Sequence, residues 1–200
     1  MADFIYLASQ SPRRRQLLEQ LGVRYELLLP DAGEDAEALE VMLKNETPSA
    51  YVKRVTNLKL DAAVARLKHR QLKSGPILCS DTTVALGRTI YGKPDDARDA
   101  ARMLRDLAGA THRVLTAIAI QQGRRRLEAL STSRVSFDHM TAAQIRSYVA
   151  TGEPMDKAGA YAIQGRVAMH ITRINGSYSG IMGLPLRETA LLLRAAGLKI

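Results

Sequence analysis

Two hundred residues, 46% of them apolar, suffice for one packed domain over residues 1–200. No apolar run nears the ~20 residues that a membrane span requires. Lysine and arginine exceed aspartate and glutamate by nine (29 − 20), which favours anionic partners such as nucleotides, nucleic acid or another polyphosphate. The single cysteine, Cys79, excludes an internal disulfide and fits a reducing cytoplasm. Asp3, and Ser-Pro-Arg after a very short apolar stretch, do not make a secretory leader, so the expected location is cytoplasmic. With no tryptophan and two phenylalanines, a stacking platform for single strands would rest on scattered tyrosines, so nucleic acid is not a favoured partner.

The apolar stretch Phe4–Ala8 predicts a short buried strand, followed by Ser9-Gln10-Ser11-Pro12-Arg13-Arg14-Arg15. Ser11 suits an N-cap and Pro12 the first helical position, opening a helix that ends at Gly22. Three arginines at the positive end of a helix dipole are unfavourable unless an anion rests there. Free N–H groups, two hydroxyls and guanidinium forks all suit phosphate oxygens, although a solvated basic helix start has the same signature. Tyr25–Leu29 reads as a strand, and an acidic patch follows (Asp31, Glu34, Asp35, Glu37, Glu40). Thr47-Pro48 starts a long helix with Val52, Val55, Leu58, Ala62 and Leu67 at helical spacing. Ile77–Ser80 is an apolar strand entering Asp81–Leu86, with turns at Gly87-Arg88 and Gly92-Lys93-Pro94. A helix capped by Asp95 or Asp96 turns Ala97, Ala101, Leu104 and Leu107 inward. Val114–Ile120 and Leu127–Phe137 form a hairpin across Gln122-Gly123. Thr141 and Gln144 make a capping box for a helix carrying Ile145, Tyr148 and Val149. Val167–Ile174 is a strand, and Gly183-Leu184-Pro185 opens a last helix that closes at Gly197. Mingled helices, strands and hairpins predict an α/β or mixed α+β class with a mixed sheet.

Ser80-Asp81-Thr82-Thr83 falls at the end of an apolar strand, where open sheets place ligands. An aspartate there can hold a divalent metal or orient a water, and its ordinary pKa of about 3.9 leaves it ionised; one capping a turn would look the same. Glu34 is a possible second oxygen ligand for Mg²⁺ or Mn²⁺, though nothing in the patch selects it. Lys93 is fixed in a turn and can meet a phosphate or a base. In Asp156–Gly165, two glycines permit close backbone approach, and the Gln164 amide suits the edge of a pyrimidine. Four scattered histidines and one cysteine form no zinc constellation, and no Walker loop is present. Cys79 reads as a small core residue.

Together, Leu7–Arg14, Ser80–Val84, Gly92–Pro94, Asp156–Gly165, Ile174–Tyr178 and Gly183–Leu186 resemble the Maf family of nucleoside triphosphate pyrophosphatases over nearly the whole chain. The resemblance implies a Maf/ITPase-like fold: a mixed twisted sheet flanked by helices, with a cleft between two lobes. It implies hydrolysis between the α- and β-phosphates with a divalent metal cation, Mg or Mn, and a possible homodimer. Asp81 matches the catalytic base. Arg13, Thr82 and Gln164 match positions tied to substrate choice in the dTTP/UTP branch. Lys93 matches the same pocket, and Glu34 and Lys59 match acidic and basic active-site positions. Ser9, Ser11 and Arg14 fall in the phosphate-facing motif, and Glu34 with Asp81 would hold the metal. Thr82, Lys93 and Gln164 together point to dTTP and UTP, with CTP and modified pyrimidine nucleotides open. The alternatives are a 7-methyl-GTP pyrophosphatase or a nucleic-acid-binding regulator of septum formation. Cys79-Ser80 departs from the smaller, more apolar pair expected before the aspartate.

Overall fold

Ile77–Leu86 is a run of ten residues, nearly all buried, and it forms the strand on which the rest of the molecule is arranged. The computed structural model describes residues 4–31, 33–34 and 38–200; Asp3, Asp35 and Glu37 lie outside them. In chain order come β1 (Ile5–Leu7), α1 (Pro12–Gln20), β2 (Tyr25–Leu27), a 3₁₀ turn (Ala38–Glu40), α2 (Pro48–His69), β3 (Ile77–Leu86) and β4 (Thr89–Tyr91). Then follow α3 (Ala97–Leu107), β5 (Thr111–Gln122), β6 (Arg125–Phe137), α4 (Ala142–Val149), 3₁₀ turns at Ala158–Ala160 and Arg166–His170, β7 (Ile171–Asn175), α5 (Tyr178–Met182) and α6 (Leu186–Ala195).

Among the described residues the seven strands make one mixed sheet in the order β2-β1-β3-β5-β6-β7, with β4 paired to β3. β1 runs parallel to β2 and β3, and the other pairs are antiparallel. The long β5–β6 hairpin forms where the alternating apolar runs and Gly123 placed it. Helices cover the sheet, as expected for an α/β class.

Several local expectations are corrected. The buried stripe of α2 is Val52, Val55, Thr56, Leu60, Ala63 and Arg66, while Leu58, Ala62 and Leu67 are only half-buried. Ala97 is exposed, and α3 buries Ala100, Met103, Leu104 and Leu107 instead. Residues 167–170 are a 3₁₀ turn, so β7 begins only at Ile171. Beyond Asn175-Gly176, the Ser177 hydroxyl accepts from the Gly180 N–H and caps α5, a short helix that periodicity cannot register in five residues.

The core divides along β3. Leu78, with β1, α1 and α6, belongs to one cluster that includes Leu7, Leu17, Leu18 and Leu193. Val84 belongs to another, with Leu104, Leu107, Val135, Phe137, Tyr148 and Tyr161. Asp81 lies on the strand between them.

The second cluster encloses a titratable group. His112 is 1% exposed, its Nε2 lies 2.8 Å from the Tyr161 hydroxyl, and its Nδ1 has no hydrogen-bond partner. Burial holds its pKa down to about 4. The unfolded chain, with a pKa of about 6.5, therefore takes up a proton that the fold refuses. His112 stabilises the fold fully above about pH 6.5, and that contribution, up to about 3 kcal/mol, is lost as pH falls toward 4. Melting curves from pH 7 to 4 should show this slope in the wild type and a flattened one in His112→Phe; equal slopes would place the acid sensitivity elsewhere.

Candidate active site

The sequence expectation put Asp81 at a strand end. The structure puts it in mid-strand, at a place where β3 lacks a neighbour. β1 pairs with Ile77 and Leu78, and β4 with Val84–Leu86, so on that edge residues 79–83 have no strand partner among the described residues. The opposite edge is continuously paired to β5. Strand alternation then sorts the side chains. Cys79 packs with Leu60 and Ala63 of α2, and Asp81 meets Lys59 of the same helix. Ser80 and Thr82 point the other way: the Ser80 hydroxyl donates to the Gly183 carbonyl at 2.9 Å, and Thr82 Oγ1 lies 3.0 Å from Thr116 Oγ1. The Cys79-Ser80 departure is thereby accommodated, the thiol in core and the hydroxyl in a hydrogen bond. Burial pushes the Cys79 thiol up to about 12, which leaves it unreactive.

Asp81 is 8% exposed. Lys59 Nζ donates to Asp81 Oδ1 and to Glu40 Oε1, both at 2.6 Å. Lys93 Nζ stands 3.9 Å from the same Glu40 oxygen. Burial raises the Asp81 pKa above the ordinary carboxylate value, with Lys59 and Arg14 opposing, so its environment is not the ordinary one assumed from sequence. Burial also acts against the Lys59 ammonium, yet Asp81 and Glu40 together lift it above its usual value.

Arg14 closes the unpaired edge. Its Nε donates to the Gly183 carbonyl at 2.9 Å, Nη1 to Ser9 Oγ at 3.1 Å and Nη2 to Thr82 Oγ1 at 3.5 Å. Gly183 can sit against this side chain because its φ of 117° is open to glycine. Thr116 donates in turn to the Gly180 carbonyl at 2.7 Å, tying Thr82 and β5 to α5. Arg13 makes a longer contact, Nε to the Met182 carbonyl at 3.4 Å. Burial lowers the pKa of both arginines, a cost that a bound polyanion would offset. Ser11 occupies the N-cap position of α1, but its hydroxyl makes no capping bond. Instead its N–H donates to Ser9 Oγ at 3.2 Å.

The Asp156–Gly165 segment reaches this rim through Gly159. Its N–H donates to the Gly92 carbonyl at 3.0 Å, next to Lys93. With φ at 70° and a would-be Cβ 2.9 Å from Val84 Cβ, no larger residue fits there. Lys157 is lowered by burial and then by the nearby Arg13 charge. Gln164 is exposed and makes no hydrogen bond to Asp81 or Arg14 among the described residues.

Glu34, expected to share a metal with Asp81, is held elsewhere. Arg66 donates to both its carboxylate oxygens, at 2.8 and 2.5 Å. That guanidinium holds Glu34 down to about 2. Arg66 follows Lys59 by seven residues, so it lies about 10 Å further along α2 at 1.5 Å per residue. The carboxylate that meets the Asp81–Lys59 pair is Glu40, which the sequence shows only as one acid of five. Thr116 was also missed; its place opposite Thr82 follows from hairpin register alone. Among the described residues no group of three or more His, Cys, Asp or Glu gathers to hold a metal. Asp81 still offers the hard oxygen that Mg²⁺ or Mn²⁺ takes when phosphates and waters complete its shell.

A buried carboxylate with arginines and lysines around it, at a break in the pairing of a central strand, marks an α/β protein with a site suited to an anionic ligand. The family model for Maf-like proteins matches residues 4–196. The chain belongs to the Maf family. A relative from Polaromonas sp., named dTTP/UTP pyrophosphatase, is 74% identical over 100% of this chain and 98% of its own. Relatives of the same name from Albidiferax ferrireducens and Cupriavidus pinatubonensis are 65% and 62% identical over 100% of both chains. Among solved structures, the dITP/XTP pyrophosphatase of Mycobacterium abscessus matches at 16% identity and a TM-score of 0.41, covering 66% of this chain and 73% of that one. The Staphylococcus aureus Ham1 protein matches at 11% identity and a TM-score of 0.41 over 96% of each.

Proposed function

We propose that this chain hydrolyses dTTP and UTP, cleaving between the α- and β-phosphates to leave the nucleoside monophosphate and pyrophosphate. The observation that carries the proposal is Asp81, buried in mid-strand, with Lys59 on one oxygen and Arg14 across the strand edge. Lys59 engages Oδ1, so Oδ2 is the oxygen that accepts the proton of an attacking water. The raised pKa of Asp81 brings it nearer the operating pH and strengthens it as an acceptor. Attack at the α-phosphorus breaks the bond to the bridging oxygen, and pyrophosphate carries away that electron pair. Arg13, Arg14, Lys59 and Lys93 hold the phosphates and balance the charge that moves onto the leaving group. Asp81 would hold a divalent cation beside the phosphates, and such a cation would add charge neutralisation there. Thr82 takes part by holding Arg14, and Gln164, exposed on the segment that Gly159 ties to Gly92, is the side chain we assign to the pyrimidine. No helix among the described residues is long and apolar enough to cross a membrane, and the buried Cys79 fits the cytoplasm, where we place the enzyme.

The test is product analysis with UTP, dTTP, CTP and 7-methyl-GTP in Mg²⁺ or Mn²⁺. UTP and dTTP should each yield one pyrophosphate and one monophosphate. Orthophosphate release, or turnover of 7-methyl-GTP alone, would reject the assignment.

Among the described residues Arg13 makes one long hydrogen bond, through Nε, which leaves both terminal nitrogens for the substrate. Arg13→Ala should raise KM for UTP and lower kcat together, reducing kcat/KM by about 10- to 100-fold, the worth of one or two charge-assisted hydrogen bonds. An unchanged KM would mean that the phosphates bind elsewhere.

A further inference from the structure

Among the described residues, Glu40 is a carboxylate at this rim to which the mechanism gives no task. Its neighbours are cations: Lys59 Nζ at 2.6 Å and Lys93 Nζ at 3.9 Å. These are two of the groups that a triphosphate must engage. A carboxylate on them presents to the lysines the same kind of oxygen that a phosphate would, and its negative charge repels an incoming polyanion.

The backbone and side chain of Glu40 are held differently. The Tyr51 hydroxyl donates to the Glu40 carbonyl at 2.9 Å, and Arg54 donates to the Val41 carbonyl at 2.8 Å while gripping Glu46. The 3₁₀ turn is thus pinned to α2 on both sides of the residue. The Glu40 side chain is 26% exposed, and its Oε1 is the atom that meets both lysines. A rotation about its own bonds takes the carboxylate off both lysines with no movement of the turn, and Lys59 keeps its bond to Asp81.

We infer that Glu40 is a built-in competitor for the polyphosphate: its carboxylate binds Lys59 and reaches toward Lys93, and must leave when the phosphates arrive. The cost of displacement falls on every anion that uses these lysines. A triphosphate with many contacts outweighs it, whereas free pyrophosphate, with fewer, is held weakly and leaves. Glu40 thereby sets the affinity for the phosphate chain and limits retention of the product. The inference rests on the pyrophosphatase reading for its substrate, but its test does not depend on turnover.

The test compares wild type with Glu40→Gln, which keeps size and shape and removes the charge. Pyrophosphate binding is measured by calorimetry with Mg²⁺, without nucleotide. The variant should bind pyrophosphate roughly tenfold more tightly, the effect of one charge-assisted contact no longer competed for. KM for UTP should fall by a similar factor with kcat changed less than about twofold, and product inhibition should deepen. Weaker or unchanged pyrophosphate binding by a variant whose melting curve matches wild type would overturn the inference. Weaker binding would show that Glu40 assists the anion, as a residue holding the cation would. A wild type that binds pyrophosphate but turns over no nucleotide would instead count against the proposed reaction, leaving the binding comparison intact. Glu40→Ala is a second variant for the same comparison should the amide form a new bond to Lys59.

Discussion

Asp81→Asn should lower kcat for UTP and dTTP by about 10²- to 10⁴-fold, the range typical of a positioned general base. The amide keeps the shape of the carboxyl and its place beside Lys59, but it cannot take a proton from water. The fold should tolerate the change. Lys59 keeps its second partner, Glu40, and the cost of burying the Asp81 charge disappears with the charge. The melting temperature is therefore expected within a few degrees of wild type, and pyrophosphate release measured alongside gives the rate. Activity within a few-fold of wild type would remove Asp81 from the role of base. The raised pKa adds a second observable: the acid limb of the wild-type rate should fall above the ordinary carboxylate value of about 3.9.

Lys59→Met should have the next largest effect, and it should differ in kind. Removing the ammonium leaves Asp81 facing Glu40 with no cation between them. Breaking a buried pair from one side typically costs about 3–5 kcal/mol, and the carboxylate can avoid part of this by binding a proton. Both charge terms act in the same direction: the attraction that lowers the Asp81 pKa is lost, and the repulsion from Glu40 that raises it stays. Asp81 is then protonated over a wider pH range and unable to act as base. We expect a drop in kcat of about 10²-fold or more at neutral pH, partial recovery as pH rises, and a lower melting temperature. An equal loss at every pH would mean that Lys59 contributes through substrate contact alone.

The parts of this site that were legible in sequence are those in which residue type and local chain geometry suffice. Pro12 at a helix start after Ser9 and Ser11, the turn around Lys93, and the two glycines near Lys157 each announce a backbone constraint next to a polar group. Gly159 bears this out, since only glycine meets both its φ and its contact with Val84. Pairings that depend on distant elements were not legible. Lys59 and Arg66 recur on one face of α2, and the sequence does not show which acid each will meet; the fold sends Glu34 to Arg66 and Glu40 to Lys59. The break in β3 pairing was hidden for the same reason. The run through Asp81 reads as a strand that ends because an aspartate interrupts an apolar pattern, whereas β5 on the far edge carries the strand through. Thr116 became visible only once the β3–β5 register placed it beside Thr82.

The ties from Arg13 and Arg14 to the carbonyls of Met182 and Gly183 each span 169 positions of chain. During synthesis at about 5–20 residues per second, those arginines wait roughly ten to thirty seconds for their acceptors. Lys59, Asp81 and the Ser9 and Thr82 hydroxyls that meet Arg14 are made well within that interval, but the Gly183 carbonyl that takes its Nε–H is not. A chain still on the ribosome therefore carries an incomplete set of ties at this edge of β3. A chain cut short before α5 would lack the carbonyls that meet both arginines.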